Sequence, residues 1–159
     1  MEPKIVELPE FSVVGIQART NNAKEMRGEG EIPRQWVRFF REKIASQIPN
    51  KVDSNIYAVY TAYASDHNGD YDFVIGMKVS DVSDIPPGMV AVRIPKSRYA
   101  VVTSAKGPTV QVVPQAWQRV YTLKDSHRLK RAYQADFEIY DERSHDPQNS
   151  QVDLYIGLK

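Results

Sequence analysis

Asp72-Phe73-Val74-Ile75-Gly76-Met77-Lys78 returns as Asp153-Leu154-Tyr155-Ile156-Gly157-Leu158-Lys159, 81 residues further along the chain. Pro33-Arg34-Gln35-Trp36 returns at the same spacing as Pro114-Gln115-Ala116-Trp117. One offset shared by two unlike segments means that a whole structural unit is repeated. A unit of this length, present only twice, predicts two half-domains that complete one core rather than an open solenoid. The halves should face each other across a pseudo-twofold axis. Carried into the strand between the motifs, the same offset lays Ile56-Tyr57-Ala58-Val59-Tyr60 over Phe137-Glu138-Ile139-Tyr140-Asp141, with Glu138 on Tyr57. The second copy then holds an acid where the first holds an aromatic ring.

Outward from these motifs, Phe11 to Ala18 reads as a strand, and polar Asn21 to Glu31, with Gly28 and Gly30, reads as a loop. Pro33 suits a first helical turn, and Trp36, Phe40, Ile44 and Ile48 make one apolar stripe with Val37 beside it, closed by Pro49-Asn50. Ile56 to Ala64 and Tyr71 to Val79 are predicted strands, with the Asn68-Gly69 pair signalling the turn between them. Pro86-Pro87-Gly88 marks the boundary between halves. Met89 to Ile94 and Arg98 to Ser104 are read as a strand pair. A helix is expected from about Val110 to Leu123, bearing Val113, Trp117, Val120 and Tyr121 on one side. Asp136 to Asp141 and Gln151 to Leu158 close the second unit, joined by the polar stretch Glu142 to Ser150. The predicted fold is α+β: one domain, residues 1–159, of duplicated βαββ half-domains 1–84 and 89–159. It has antiparallel strands, one main helix per half and a ligand cleft between the halves.

Composition narrows the function. The chain has 159 residues, with 21 Lys and Arg against 20 Asp and Glu, so its formal charge of +1 encodes no general attraction to nucleic acid or anionic membrane. Cysteine is absent, which removes disulfides, thiolate nucleophiles and cysteine-ligated zinc together and fits a reducing compartment. Met1-Glu2-Pro3-Lys4 lacks the flank of a secretory signal, and no long apolar run occurs, so the expected location is the cytoplasm. His67, His127 and His145 lack metal-ligand spacing, Gly28-Glu29-Gly30-Glu31 is no phosphate cradle, and no nucleophile-elbow motif is present. Neither metal nor cofactor is expected. Lys124, Arg128, Lys130 and Arg131 form a basic run that reads as a solvated face.

Strand alternation puts Asp136, Glu138 and Tyr140 on one face and Phe137 and Ile139 on the other. A carboxylate withdrawn from water among aromatic rings is costly without a partner, and a ligand cation would relieve that cost. The rings would add cation–π attraction that depends little on ligand shape. The candidate binding residues are Glu138, Tyr140, Tyr57, Tyr60, Trp36, Trp117, Tyr99 and Tyr155. From the residues alone a bland reading stays open for each. A strand glutamate often faces solvent, Trp36 and Trp117 sit at core spacing, and strands favour tyrosine in any case.

Phe11-Ser12-Val13-Val14-Gly15, Pro114-Gln115-Ala116-Trp117, Asp136-Phe137-Glu138-Ile139-Tyr140-Asp141 and Val152-Asp153-Leu154-Tyr155-Ile156 together resemble the gyrase-inhibitor-like (GyrI-like) effector-binding domains. These also form the ligand-sensing C-terminal domains of AraC-type and MerR-type transcription regulators. The resemblance covers nearly the whole chain and implies a duplicated βαββ fold, a cleft between halves and an acidic pocket residue at Glu138. It departs at Gly157, where many relatives carry proline, and no DNA-binding helices precede the domain. The function it implies is stand-alone binding of small hydrophobic cations, aromatic or quaternary ammonium, as in members encoded on gene cassettes. Two alternatives accompany it. One is a small hydrolase with Glu138 as general base on a strained electrophile and Tyr140 as donor to the oxyanion. The other is an interaction module for gyrase or a separate DNA-binding chain, using acids such as Asp136, Asp141, Glu142 and Asp146.

Overall fold

In the computed structural model, which describes residues 3–159, eight strands form one antiparallel sheet. They are β1 (Lys4–Leu8), β2 (Phe11–Thr20), β3 (Ile56–Thr61), β4 (Tyr71–Val79), β5 (Val90–Ile94), β6 (Ser97–Thr103), β7 (Arg131–Tyr140) and β8 (Asp153–Leu158). The helices are α1 (Asn22–Met26), α2 (Ile32–Arg41), α3 (Ile44–Gln47) and α4 (Thr109–Asp125). The strand order is β1-β6-β8-β7-β3-β4-β2-β5. Read from its middle outward, this order is the same in both directions by repeat position, which is the expected pseudo-twofold. The seam of the two halves is the β3–β7 ladder.

The outermost strands are exchanged. β1 pairs with β6 of the second unit, and β5 pairs with β2 of the first. The expected β5–β6 pair therefore does not form, although only Pro95 and Lys96 separate the two strands. A two-residue link spans about 10 Å, whereas the β5 and β6 positions in the strand order would lie about 29 Å apart in a flat sheet at the usual strand spacing. The sheet must therefore curl until its ends approach. Pro9 and Glu10 make the same passage between β1 and β2.

The curl creates an inner core on one sheet face, holding Val13, Tyr57, Val59, Val74, Ile94, Tyr99 and Phe137, all buried. The helices cover the other face. Phe39, Ile44 and Ile48 pack there on Val14, Ile16, Phe73 and Ile75 in the first half, and Ala116, Val120 and Leu123 pack on Val102, Leu154 and Ile156 in the second. At the centre of the first half Gly15 stands opposite Gly76 in the β2–β4 ladder, and a Cβ on Gly76 would lie 2.0 Å from the Val14 carbonyl oxygen.

Three further expectations are corrected. The single helix from Pro33 to Ile48 is broken between α2 and α3, because Lys43 adopts φ 52. Phe39 is buried in place of the stripe residue Phe40, which is 62% exposed. The second helix begins at Thr109, in line with its expected start, and the Pro114 inside it leaves the Val110 carbonyl without its helical donor. The segment 21–31, expected as loop, includes α1, which Asn21 caps by accepting from the Lys24 N–H at 2.9 Å.

The register of the repeat also changes inside the sheet. Phe73 pairs with Tyr60, and Leu154 pairs with Glu138. Since Phe73 and Leu154 are repeat equivalents, the counterpart of Glu138 is Tyr60, three residues beyond the expected Tyr57. The β7–β8 connection, residues 141–152, is three residues longer than the β3–β4 connection, residues 62–70, and the single offset does not survive it.

Candidate functional site

Glu138 lies on β7 opposite Ala58 of β3, at the seam, pointing to the helix-covered face. Only 2% of its surface is exposed. One carboxylate oxygen, Oε2, accepts from the Tyr60 hydroxyl at 2.8 Å and from the Trp117 indole Nε1 at 2.7 Å. The other, Oε1, accepts from the Tyr140 hydroxyl at 2.6 Å. Repeat mates Tyr60 and Glu138 are thus bonded to each other across the seam. Burial pushes the Glu138 carboxyl above the ordinary carboxylate range, and the three donated hydrogen bonds oppose that rise. Burial and the neighbouring Glu138 charge push the Tyr60 and Tyr140 hydroxyls well above the usual tyrosine range, so both stay protonated donors.

This carboxylate forms part of the floor of a cleft of about 1320 Å³ whose walls include Trp36 and Phe40 of α2 and Val113 and Trp117 of α4. The two repeat-related tryptophans are set crosswise on tyrosines. Trp36 meets Tyr140 edge to face at 4.8 Å between centroids, and Trp117 meets Tyr60 at 5.1 Å. Trp36 also stacks on Phe40 at 6.0 Å, extending an aromatic wall toward the exposed rim. Residues of α1 complete one side. Asn22 ties α1 down by donating to the His67 carbonyl and the Tyr121 hydroxyl and accepting from the Tyr71 hydroxyl.

A second buried carboxylate sits two residues away on the same face. Asp136 is fully buried and accepts from Arg131 Nη2 at 2.7 Å, from the Gly157 N–H at 2.8 Å and from the Tyr63 hydroxyl. Arg131 reaches it because the β7–β8 ladder shifts register between Arg131 and Asp136, with Tyr133 at φ 54, and this bulge turns Arg131 to the Asp136 side. Arg131 was expected in a solvated basic run and Asp136 on an acidic surface. Both are interior, and each is the other's reason for being so.

Of the eight predicted binding residues, the structure brings five together at the cleft: Glu138, Tyr140, Tyr60, Trp36 and Trp117. Tyr57, Tyr99 and Tyr155 are turned away, and this corrects their expected role. All three lie on the inner face, where they surround Phe137 with centroid separations of 6.0, 5.3 and 4.8 Å respectively. Tyr99 sits across from Gly157 in the β6–β8 ladder, its ring 3.7 Å from where a Cβ of residue 157 would stand. Tyr99 thus packs beside the space that Gly157 leaves. Phe40, Val113, Tyr121 and the α1 residues were not foreseen as cleft residues. Helical spacing from Trp117 to Val113 and Tyr121 was the signal that would have found two of them. Among the described residues no cluster fits a metal ion, and no helix is long and apolar enough to cross a membrane.

The family model described as Cass2, integron-associated effector binding protein, matches residues 4–158. The chain is similar to YobU of Bacillus subtilis, which is named for transcriptional regulation, with 34% identity over 147 residues covering 91% of this chain and 90% of that protein. Among solved structures it is similar to an integron cassette protein from the mobile metagenome of Vibrio cholerae, with TM-score 0.79, 28% identity and coverage of 99% of this chain and 96% of that one. It also shares the fold of SAV2435, solved bound to tetraphenylphosphonium, with TM-score 0.81, 17% identity and coverage of 100% and 94%.

Proposed function

The chain belongs to the Cass2 family of integron-associated effector-binding proteins, and from that premise we propose that it binds amphipathic organic cations, aromatic or quaternary, in the cleft above Glu138. The observation that carries this reading is the company Glu138 keeps. Its hydrogen-bond partners Tyr60, Trp117 and Tyr140 are all neutral, so its charge is solvated by dipoles and, among the described residues, paired with no cation. A buried ion in that state gains from a positive ligand. Because three of its four acceptor sites are already filled, the carboxylate gains more from a ligand's charge than from its donors. Onium ions, which carry charge without N–H groups, suit this better than primary ammonium ions, which surrender strong hydration and need acceptors in return.

The aromatic walls serve the same class. Trp36, Trp117, Tyr60 and Tyr140 offer faces and edges to a flat or propeller-shaped cation, and about 1320 Å³ suits a ligand of several rings. That a protein of this fold is solved with tetraphenylphosphonium supports the choice of chemical class. A general-base role would have to use the one unfilled lone pair of Oε1, since Oε2 already accepts from both Tyr60 and Trp117.

The test is calorimetry with tetraphenylphosphonium and with neutral triphenylphosphine oxide. The expected result is one cation bound per chain, with the neutral compound at least tenfold weaker. Equal affinity for the two would refute the reading.

A further inference from the structure

Glu25 of α1 is a second carboxylate in the condition of Glu138. Its Oε2 accepts from the Thr20 hydroxyl and from the Glu31 N–H at 2.7 Å, and its Oε1 accepts from the Ile32 N–H at 3.3 Å. All three donors are neutral, and no basic side chain pairs with Glu25 among the described residues. Three of its four acceptor sites are filled, so a ligand's charge serves it better than a ligand's donors. Glu25 lines the cleft and also a smaller cavity of about 110 Å³. Asn22, Ile32, Tyr60, His67, Trp117 and Tyr121 line both as well, which makes the small cavity an annex of the cleft.

The other walls of the annex are aromatic. Tyr63, Tyr71, Tyr60, Trp117, Tyr121 and His67 all line it, and in that order each ring adjoins the next, at centroid separations of 5.8, 5.5, 5.1, 6.3 and 5.9 Å. Rings around a small space with a carboxylate at its border are the surroundings that a methylated ammonium head prefers. Such a head displaces a few water molecules, which a space of about 110 Å³ can hold. Arg131 also lines the annex, but Asp136 meets its charge at 2.7 Å, so that pair adds no net charge and Glu25 sets the sign. Tyr60 and Trp117 stand between the two acids, since both donate to Glu138 and both line the annex.

We propose that the annex is a second cation subsite, an aromatic cage headed by Glu25, and that the ligands this protein prefers are dications. The inference rests on the cation reading of Glu138 and deepens it. An aromatic onium lies in the cleft above Glu138, and an arm from it carries a methylated ammonium past Tyr60 and Trp117 into the annex. There the second charge meets Glu25 and the ring faces, and it needs no acceptor because it carries no N–H.

The test compares two triphenylphosphonium compounds by calorimetry, above the pH range in which histidine titrates. Each carries an alkyl arm, ending in trimethylammonium in one and in the neutral tert-butyl group of the same shape in the other, over a series of arm lengths. At the best arm length the native chain is expected to bind the dication about tenfold more tightly than its tert-butyl twin. Glu25→Gln should cut that advantage to about twofold while keeping the tert-butyl compound's affinity. Because Glu25 also caps N–H groups at the start of α2, proton resonance spectra of the dication on the native chain supply a readout that needs no variant. The N-methyl signal should move upfield on binding, under the ring currents of the cage. A dication no tighter than its twin at any arm length, an advantage that Glu25→Gln leaves intact, or an N-methyl signal unmoved by binding overturns the proposal. If the tert-butyl compound itself fails to bind, the cation reading of Glu138 fails instead, and the two failures are distinguishable.

Discussion

Glu138→Gln removes one charge and little else. The Trp117 indole can only donate, so the glutamine carbonyl must take the place of Oε2, facing Trp117 and Tyr60, while its amide faces Tyr140. One hydroxyl rotation at Tyr140 restores the network, and the side-chain volume is kept. A cation over an aromatic face sits within about 6 Å of the ring centroid, which places it roughly 6–7 Å from a carboxylate that bonds the ring's own hydroxyl. At an effective dielectric of about 20 the lost attraction is about 2.5 kcal/mol, or a fifty- to hundredfold rise in Kd. Calorimetry with tetraphenylphosphonium on both proteins measures this, with triphenylphosphine oxide as the charge-free control that should change less than about threefold. A Glu138→Gln chain with native circular dichroism that binds the cation within about threefold of the native chain would refute the electrostatic argument.

Further outcomes follow from the same geometry. Cation binding needs ionised Glu138, whose pKa is raised by burial, so affinity should be full above that raised value and fade as pH falls through it, sooner than an ordinary carboxylate would dictate. Trp117→Phe keeps a ring but deletes a hydrogen bond that lowers this pKa, so the pH at which affinity is half lost should move upward in a titration of Kd against pH. Folding responds in the opposite direction. A carboxyl with a raised folded-state pKa makes the unliganded protein less stable as pH rises from the ordinary carboxylate value through the raised one, and Glu138→Gln should flatten that decline in urea denaturation. Gly76→Ala sets a methyl group 2.0 Å from the Val14 carbonyl oxygen, and should cost about 3 kcal/mol or more of stability; a urea midpoint within error of the native one would contradict the ladder geometry.

The fold was legible where the repeat was rigid. β4 and β8 carry the same alternation of apolar residues with a central glycine, so their equivalence survives in sequence. β3 and β7 do not, because the longer 141–152 connection breaks the offset by three, and a shift by an odd number turns a side chain to the opposite face of a sheet. That single slip explains why Tyr57 was expected beside Glu138 and Tyr60 is found there. Glu138 itself was legible, since an acid with aromatic neighbours in an apolar strand is an anomaly whatever the register. Arg131 was not, because its burial depends on a bulge at Tyr133 that no periodicity announces. Strand exchange was equally hidden. Two residues between β5 and β6 read as a hairpin, and only the assembled sheet shows that the chain passes to its other end.

That exchange reaches back to how such a chain arises. An ancestor with a single repeat would have ended in a half-sheet lacking its outer strand, with its own first strand projecting unused. Two such molecules would satisfy each other by trading arms, so a single-repeat ancestor would be a swapped homodimer and fusing its two genes would make the embrace permanent. In such a twin the position now held by Glu138 and Tyr60 would be one codon serving both sides of the axis. Fusion would free one side to be acidic while its mate is a phenol that bonds it.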